Sequence, residues 1–274
     1  MELLRRLVVV VVKLLCRIAL KVQVTGREHI PLQGPTIVAI NHVNFIEGPL
    51  LYVTWPREII GLGKAELWSD PLIKPLAMAL KAIPVRRGEM DLTAVRLSTR
   101  VLQEGQVLGV APEGTRSHDG HLQPAKPGIV LLALRLPETA IVPVAIYGQE
   151  KYRENLRRLR RTEVNMAIGQ PFWLEPGDGR VTPEARQQMV DEIMMQIAAL
   201  LPPEYRGVYS NLDSGTERYL RFQPGRESSL QMAKRSSQSA AHALANNRPR
   251  QTAAGRKQPP PDSEVDPQHR ERGR

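Results

Sequence analysis

The sequence has few cysteines, few aromatic residues and no long uncharged apolar segment. Cys16 is the sole cysteine in 274 residues, which excludes an intramolecular disulfide and a multi-cysteine metal site, and we expect no bound metal. The 3 Trp, 6 Tyr and 3 Phe residues are scattered rather than interleaved with basic residues. No helix-turn-helix, zinc-finger or RNA-binding signature is present, so nucleic acid is not an expected partner.

The N-terminal segment is apolar but repeatedly interrupted by charge. Its longest uncharged run is Leu7–Val12, which is too short to cross a bilayer, and no small-residue cleavage site of a signal peptide follows. On a helix, one broad face carries Leu4, Leu7, Val8, Val11, Leu14, Leu15 and Ile18, and a stripe on another side carries Arg6, Lys13, Arg17 and Lys21. This pattern predicts an amphipathic membrane-associating helix over residues 1–25. A helix packed on the core of its own domain remains the alternative.

Acidic residues are outnumbered by basic ones. The 28 Asp and Glu residues face 38 Lys and Arg residues, giving a formal charge of +10, which indicates an anionic partner such as membrane lipid or a phosphorylated substrate. Residues 224–274 contain ten basic and five acidic residues and almost no large apolar ones. We therefore predict a disordered basic tail over residues 223–274.

Short apolar runs alternate with helical patterns between these two ends. The predicted strands are Thr36–Ile40, Ile59–Leu62, Val107–Ala111, Ile141–Ile146 and Val164–Ile168. The predicted helices are Pro71–Leu80, Leu92–Gln103, Gly128–Leu136 and a helix from Thr182-Pro183 to about Leu200. This alternation predicts an α/β fold over residues 26–222, with a mixed, mostly parallel sheet flanked by helices.

The stretch "AINHVNFIEGP" ends the first predicted strand with polar side chains. Asn41 and His42 follow the apolar run, and Glu47 lies five residues after the histidine. On a continuous helix His42 and Glu47 would face different directions, so they meet only if the chain turns between them. A strand-end histidine near a solvated carboxylate is the plain alternative.

Two further polar clusters follow apolar runs. Arg86 and Arg87 come after Ala82–Val85, and "PEGTRS" (112–117) comes after Val107–Ala111. Arginine binds phosphate oxygens in a bidentate manner, and a glycine-containing turn exposes backbone N–H groups to an anion. Ligands of open α/β sheets gather beyond the strand ends, so these clusters indicate an anion site there.

In this order, the clusters resemble the signature blocks of the glycerolipid acyltransferases, typified by 1-acylglycerol-3-phosphate O-acyltransferase. Over about Gly26–Gly148, the family's Asn-His-x4-Asp block is matched by Asn41, His42 and Glu47, and its "IPV"-arginine block by residues 83–88. The Pro-Glu-Gly-Thr-Arg-Ser block is unaltered at 112–117, Lys126 and Gly128 match its downstream lysine and glycine, and "IVPVA" (141–145) matches the last block.

The resemblance implies a role for each matched residue. His42 is expected to be the general base, oriented by Glu47 in the manner of a hydrolase triad. The expected phosphate-binding residues are Arg87, Glu113, Gly114, Thr115 and Arg116, and the expected supporting residues are Asn41, Arg86, Ser117, Lys126 and Gly128. Because a carboxylate repels phosphate, we expect Glu113 to orient an arginine or a hydroxyl. The family's aspartate is replaced by Glu47, which is consistent with an active variant, an altered acceptor preference or a decayed site.

The implied reaction moves a fatty acyl group from a coenzyme A or acyl-carrier-protein thioester to a lysophospholipid hydroxyl, most simply 1-acylglycerol-3-phosphate. No cofactor is expected, and the enzyme should be peripheral on the cytoplasmic face of a membrane. Two alternatives remain: a non-catalytic peripheral protein that binds anionic lipids, and a thioesterase. The acyl-chain length, the donor carrier, the acceptor head group and the oligomeric state are left open by the sequence.

Overall fold

The computed structural model describes residues 2–71, 73–86 and 91–246, with side chains described between 6 and 239. The chain divides into two compact units, residues 1–237 and 238–274. All strands and all site residues discussed below belong to the first unit. Of the second unit, the described part is the end of a helix.

Nine strands, found among the described residues, form one mixed sheet. They are β1 (Leu20–Thr25), β2 (Thr36–Ile40), β3 (Ile59–Lys64), β4 (Ile83–Val85), β5 (Val107–Val110), β6 (Ala140–Tyr147), β7 (Thr162–Ile168), β8 (Phe172–Leu174) and β9 (Leu220–Phe222). The order is β1-β7-β6-β2-β5-β3-β4, and β8 joins β6 to β9. Strands β2 to β6 run parallel, whereas β7 and β8 run antiparallel to β6. The predicted mostly parallel α/β sheet is confirmed.

Helices connect and cover these strands. The α-helices are α1 (Glu2–Ala19), α2 (Glu47–Thr54), α3 (Lys74–Ala79), α4 (Leu92–Gln103), α5 (Gly128–Arg135), α6 (Tyr152–Arg157), α7 (Pro183–Leu200) and α8 (Ser229–Asn246). Short 3₁₀ helices span Arg27–His29, Ala65–Ser69, Pro203–Tyr205, Gly207–Tyr209 and Leu212–Ser214. The predicted bounds of α4 match the structure, because the Asp91 carboxylate caps the N–H groups of Thr93 and Ala94 at its start.

The central strands are buried on both faces, as their unbroken apolar runs predict. In β2, Ile37 and Ala39 pack into a core formed with α4, α5 and α7, whereas Val38 and Ile40 pack into a second core that includes α2. This alternation follows from the two-residue period of a strand. Packing on both faces holds β2 in place. The residues that directly follow it, Asn41 and His42, therefore have a defined position at the edge of the sheet.

The predicted N-terminal helix over 1–25 is shorter than expected. It ends at Ala19, and residues 20–25 form β1, which pairs in parallel with β7. Helix α1 packs against α2 and α3, yet a broad apolar face stays exposed, made of Leu7, Val10, Val11, Leu14, Leu15 and Ile18. Among the described residues, no helix combines the length and the hydropathy needed to cross a membrane.

Part of the predicted disordered tail is helical. Helix α8 begins at Ser229, and the Ser228 hydroxyl accepts a hydrogen bond from the N–H of Gln231, which caps the helix. Leu230 is buried in the core beside α7. The composition does not reveal this helix, because it is held by one buried leucine, a serine cap and hydrogen bonds from Gln231 and Lys234 to residues distant in sequence. The rest of the predicted tail, residues 247–274, lies outside the described residues.

Candidate active site

His42 and Glu47 meet at the end of β2. The imidazole Nδ1 of His42 lies 2.6 Å from Oε2 of Glu47. The chain turns through residues 43–46 before α2 begins at Glu47. The Glu47 side chain is 1 % exposed and that of His42 is 23 % exposed. A nearly buried carboxylate therefore holds a histidine that remains open to solvent on one side.

The second oxygen of Glu47 accepts hydrogen bonds from two backbone groups and one side chain. Its Oε1 lies 2.7 Å from the nitrogen of Val43, 2.9 Å from that of Asn44 and 3.0 Å from Nε2 of Gln149. Hydrogen bonds from N–H donors stabilise the charged form of a carboxylate. With one oxygen held by donors and the other facing His42, the carboxylate has one orientation.

Asn41 ties β2 to the neighbouring strand β6. Its side-chain amide donates to the carbonyl of Ile146 and accepts from the N–H of the same residue, both at 2.8 Å. Asn41 is 2 % exposed, and breaking either bond would leave a buried polar group unpaired. The predicted supporting residue thus fixes the edge from which His42 projects.

The "PEGTRS" segment holds the backbone of His42 from both sides. Glu113 Oε1 accepts from the N–H of His42 at 2.8 Å, and its Oε2 accepts from the N–H of Gln123 at 2.9 Å. The N–H of Ser117 donates to the carbonyl of His42 at 2.7 Å, while the Ser117 hydroxyl donates to Asp119. The expectation that Glu113 orients an arginine or a hydroxyl is wrong, since both of its oxygens accept from backbone N–H groups.

The pKa of Glu113 is also shifted from its ordinary value. Burial raises its pKa to about 7, against the opposing effect of the two backbone hydrogen bonds. The side chain is 2 % exposed. A group that is buried and paired with backbone N–H groups on both oxygens is a clamp between loops rather than a phosphate ligand.

Gly114 and Lys126 lie against each other. Gly114 has a φ of +69°, and a Cβ atom built on it would lie 3.3 Å from Cδ of Lys126, so glycine suits both the backbone conformation and the close contact. The N–H of Lys126 donates to the carbonyl of Pro112, which fixes the start of the turn. Gly128 is the first residue of α5.

Three further residues form what we call the arginine side: Arg86, which was predicted as a supporting residue, and Thr115 and Arg116, which were predicted to bind phosphate. Arg86 follows β4, and Thr115 and Arg116 follow β5, so all three emerge at the same edge of the parallel sheet as His42. All three are exposed. Within the described residues, the Arg116 side chain has no hydrogen bond or ion pair. Arg87, the better match to the family block, lies outside the described residues.

We call the group of Asn41, His42, Glu47 and Gln149 the histidine side. The sequence gives little indication of Gln149, because an amide three residues after the predicted strand Ile141–Ile146 carries no motif of its own. Its one signal is its place directly after the matched region, which ends at Gly148. Among the residues that the structure describes, no group of three or more His, Cys, Asp or Glu side chains is arranged to hold a metal ion.

Comparison with known proteins finds similarity to acyltransferases. Residues 21–147 match the family model described as Acyltransferase. The chain is 29 % identical over 136 residues to a 1-acyl-sn-glycerol-3-phosphate acyltransferase of Borreliella burgdorferi, covering 48 % of this chain and 54 % of the relative. It is 26 % identical over 152 residues to the protein of that name from Bacillus subtilis, covering 55 % of this chain and 73 % of the relative.

A human relative and a solved structure extend the comparison. The human protein called 1-acyl-sn-glycerol-3-phosphate acyltransferase alpha is 27 % identical over 178 residues, or 64 % of this chain and 61 % of the relative. The crystal structure of the PlsC acyltransferase from Thermotoga maritima superposes with a TM-score of 0.51 at 23 % identity, over 69 % of this chain and 77 % of that one, which supports the fold.

The match to the family model covers most of the residues of this site. The chain spans between about half and three quarters of the length of these curated relatives. The matched region includes His42, Glu47 and the whole "PEGTRS" segment. Residues 21–147 are therefore similar to the acyltransferase family over the part of the chain that carries His42, Glu47 and the "PEGTRS" segment.

Proposed function

We propose that the protein transfers a fatty acyl group from a thioester to the free hydroxyl of a lysophospholipid, with 1-acylglycerol-3-phosphate as the acceptor and phosphatidic acid as the product. The observation that carries the proposal is the 2.6 Å contact between His42 Nδ1 and the buried Glu47 carboxylate. A carboxylate accepts, so the ring proton belongs on Nδ1 and the lone pair on Nε2. The base is then prepared before the substrate binds.

In the proposed reaction, Nε2 of His42 takes the proton of the acceptor hydroxyl as its oxygen attacks the thioester carbonyl carbon. The resulting imidazolium is stabilised by Glu47. When the tetrahedral intermediate collapses, the carbon–sulfur bond breaks and the departing sulfur takes the proton back from His42. No serine or cysteine nucleophile and no cofactor is needed, because the acceptor alcohol itself attacks.

The arginine side suits the charge of the acceptor. Arg86 and Arg116 are exposed at the sheet edge that carries His42, and guanidinium groups bind phosphate oxygens in a bidentate manner. We propose Arg116, Thr115 and the Gly114 turn as ligands of the acceptor phosphate, together with Arg87 from the family pattern. The donor carrier, coenzyme A or acyl-carrier protein, is phosphate-bearing in either case, which suits the net charge of +10.

We also propose that α1 holds the protein peripherally on the cytoplasmic face of a membrane. Its exposed side presents large apolar residues, among them Leu7 at 59 %, Leu14 at 55 % and Ile18 at 61 %. Lys13 and Arg17 on the same helix are also exposed and would attract anionic headgroups. The enzyme would then be bound to the same membrane surface that contains its lysophospholipid acceptor.

The decisive experiment measures thiol release from palmitoyl-coenzyme A, with and without 1-acylglycerol-3-phosphate. We expect release that depends on the acceptor and falls roughly 10²–10⁴-fold in His42→Ala, since a positioned base contributes about that much. His118→Ala is the matched control, because His118 is exposed and outside the site. An acyl-carrier-protein donor and other lysolipids are tested in parallel.

Each other outcome assigns a different function. Release without acceptor that still needs His42 would make the protein a thioesterase. If the wild type and His42→Ala are equally silent with every donor and acceptor, the transferase is refuted and a lipid-binding protein is the better account. Membrane association alone does not separate these outcomes, because both functions predict it.

A further inference from the structure

We propose that Gln149 is a positioning residue that fits this site to a glutamate at position 47. The inference rests on the proposed function and deepens it. Gln149 is 0 % exposed, and its Nε2 donates to Glu47 Oε1 at 3.0 Å. It is the one side chain that donates to the oxygen of Glu47 facing away from His42, among those the structure describes.

The NH₂ group of the Gln149 amide makes the side-chain hydrogen bonds, and the amide oxygen makes none among the described residues. Its Oε1 is buried and has no hydrogen-bond partner among the described residues, although buried side-chain oxygens are nearly always paired. Rotating the amide would aim this oxygen at the Glu47 carboxylate and turn attraction into repulsion. Nε2 also donates to the carbonyl of Ile146 at 3.4 Å, so the shorter contact with Glu47 and this second acceptor together fix the orientation, and the oxygen is left unpaired as a consequence.

The backbone before Gln149 turns sharply and directs its side chain toward Glu47. Gly148 has a φ of +89°, and a Cβ atom there would lie 2.8 Å from the carbonyl oxygen of Glu163. Glycine thus allows a sharp turn directly after β6, beside the edge that Asn41 ties to Ile146. The carbonyl of Gln149 lies 3.5 Å from Nδ2 of Asn44, so the backbone of the same residue also contacts the turn that carries Glu47.

A longer acidic side chain needs this support. Glutamate has one more rotatable bond than the family's aspartate, so its carboxylate can adopt more positions relative to His42. The N–H groups of Val43 and Asn44 and the amide of Gln149 converge on one oxygen and leave Oε2 pointing at the imidazole. Gln149 acts through Glu47 and does not touch the reacting atoms.

The test compares Gln149→Leu with Gln196→Leu. Both glutamines are 0 % exposed and both donate to a glutamate, but Gln196 lies on α7 and pairs with Glu217. With palmitoyl-coenzyme A and 1-acylglycerol-3-phosphate, we expect Gln149→Leu to lower kcat roughly 10- to 100-fold with little change in either KM, which is the range for losing a hydrogen bond to a charged group. Gln196→Leu should leave kcat unchanged.

Two further variants separate positioning from folding. In Gln149→Glu the new carboxyl can donate to Glu47 only when protonated, so its kcat relative to wild type should rise as the pH falls, whereas Gln149→Leu shows no such recovery. Glu47→Asp should cost much more in the wild type than in Gln149→Leu, because the two residues share one interaction. Additive losses, or a kcat equal to that of Gln196→Leu, would refute the role of Gln149.

A readout without turnover keeps this proposal distinct from the proposed function. The Nδ1 proton of His42 can be followed by NMR in nitrogen-15-labelled protein, with His42→Ala providing the assignment. We expect a slowly exchanging Nδ1 proton in the wild type and in Gln196→Leu, and its loss or exchange broadening in Gln149→Leu. If the signal is unchanged in Gln149→Leu, the positioning role fails even when the enzyme is active. If it responds but no acyl transfer occurs, only the proposed function fails.

Discussion

The histidine side and the arginine side lie at the same sheet edge but differ in how firmly their side chains are held. Glu47 is 1 % exposed and accepts from three donors besides facing His42. Arg116 is exposed and its side chain has no hydrogen bond or ion pair with any described residue. The groups proposed for proton transfer are fixed in advance, whereas those proposed for phosphate binding are left to be ordered by their ligand.

This difference follows from the physical demands of the two tasks. A general base works only when its tautomer and direction are set, and misplacement by about 1 Å costs much of the rate. A phosphate is a diffuse dianion, and flexible guanidinium groups can close on it from several directions. The comparison predicts that damage on the histidine side lowers kcat, and that damage on the arginine side raises the KM of the acceptor.

The largest effect is expected for Glu47→Gln. The new amide can present its NH₂ group to Nδ1 of His42, which favours the tautomer with the proton on Nε2 and leaves no lone pair for the acceptor hydroxyl. We expect kcat to fall about 10³- to 10⁴-fold, as loss of the correct tautomer does in hydrolase triads. Steady-state kinetics with the acceptor varied would show this as a change in kcat at nearly constant KM.

Glu192→Gln is the matched control for this change. Glu192 is 2 % exposed and accepts from Thr216 and from the N–H groups of Arg218 and Tyr219, so it is an equally buried and hydrogen-bonded glutamate on α7. It should lose stability but keep kcat. If Glu47→Gln instead raises the acceptor KM and keeps its kcat, the assignment of proton transfer to the histidine side and of phosphate binding to the arginine side is refuted.

The next effect concerns the contribution of Glu113, which holds the backbone of His42, to the stability of the fold. The pKa of Glu113 is raised to about 7 by burial, from an ordinary value of 4.5. Between these values the unfolded chain has released the proton while the folded protein still holds it, so the contribution to stability falls as the pH rises and is constant above about 7. The whole shift corresponds to roughly 3–4 kcal/mol, most of which is lost between about pH 5 and pH 8.

Denaturant unfolding of the wild type and of Glu113→Gln measures this contribution. We expect the free energy of unfolding of the wild type, relative to the variant, to be lower at about pH 8 than at about pH 5, by roughly 2–3 kcal/mol. Taking the difference removes the groups that titrate alike in both proteins. A constant difference across this range would mean that Glu113 titrates as an exposed carboxyl does.

The sequence predicts most of the fold because its signals are local. The unbroken apolar run of β2 and the Asp91 cap of α4 are written in a few adjacent residues. Glu113 and His42 are separated by 71 positions in the sequence, and Gln149 and Glu47 by 102. No spacing within one segment predicts such contacts. Helix α8 was missed for a related reason, since its docking depends on Leu230 finding a distant core.

The site was predicted unevenly for the same reason. His42 and Glu47 are five residues apart, and the need for a turn between them could be stated from helix geometry alone; the structure brings them together. The role of Glu113 was misjudged because its partners are backbone N–H groups, and any residue type can supply those. Side-chain chemistry is visible in a sequence, whereas the backbone groups that satisfy it are not.

The smallest effect is expected on the arginine side, in Arg116→Gln. Because the guanidinium is exposed and unpaired among the described residues, its loss leaves the histidine side intact and should raise the KM for 1-acylglycerol-3-phosphate roughly 10- to 100-fold at similar kcat, the range for one charge-assisted contact with phosphate. With monoacylglycerol, which has no phosphate, the same variant should react at the wild-type rate. Arg180→Gln removes another exposed arginine and should change neither acceptor. A loss of rate with both acceptors would show that Arg116 supports the reacting groups themselves, and the two sides of the site would then be one rigid unit.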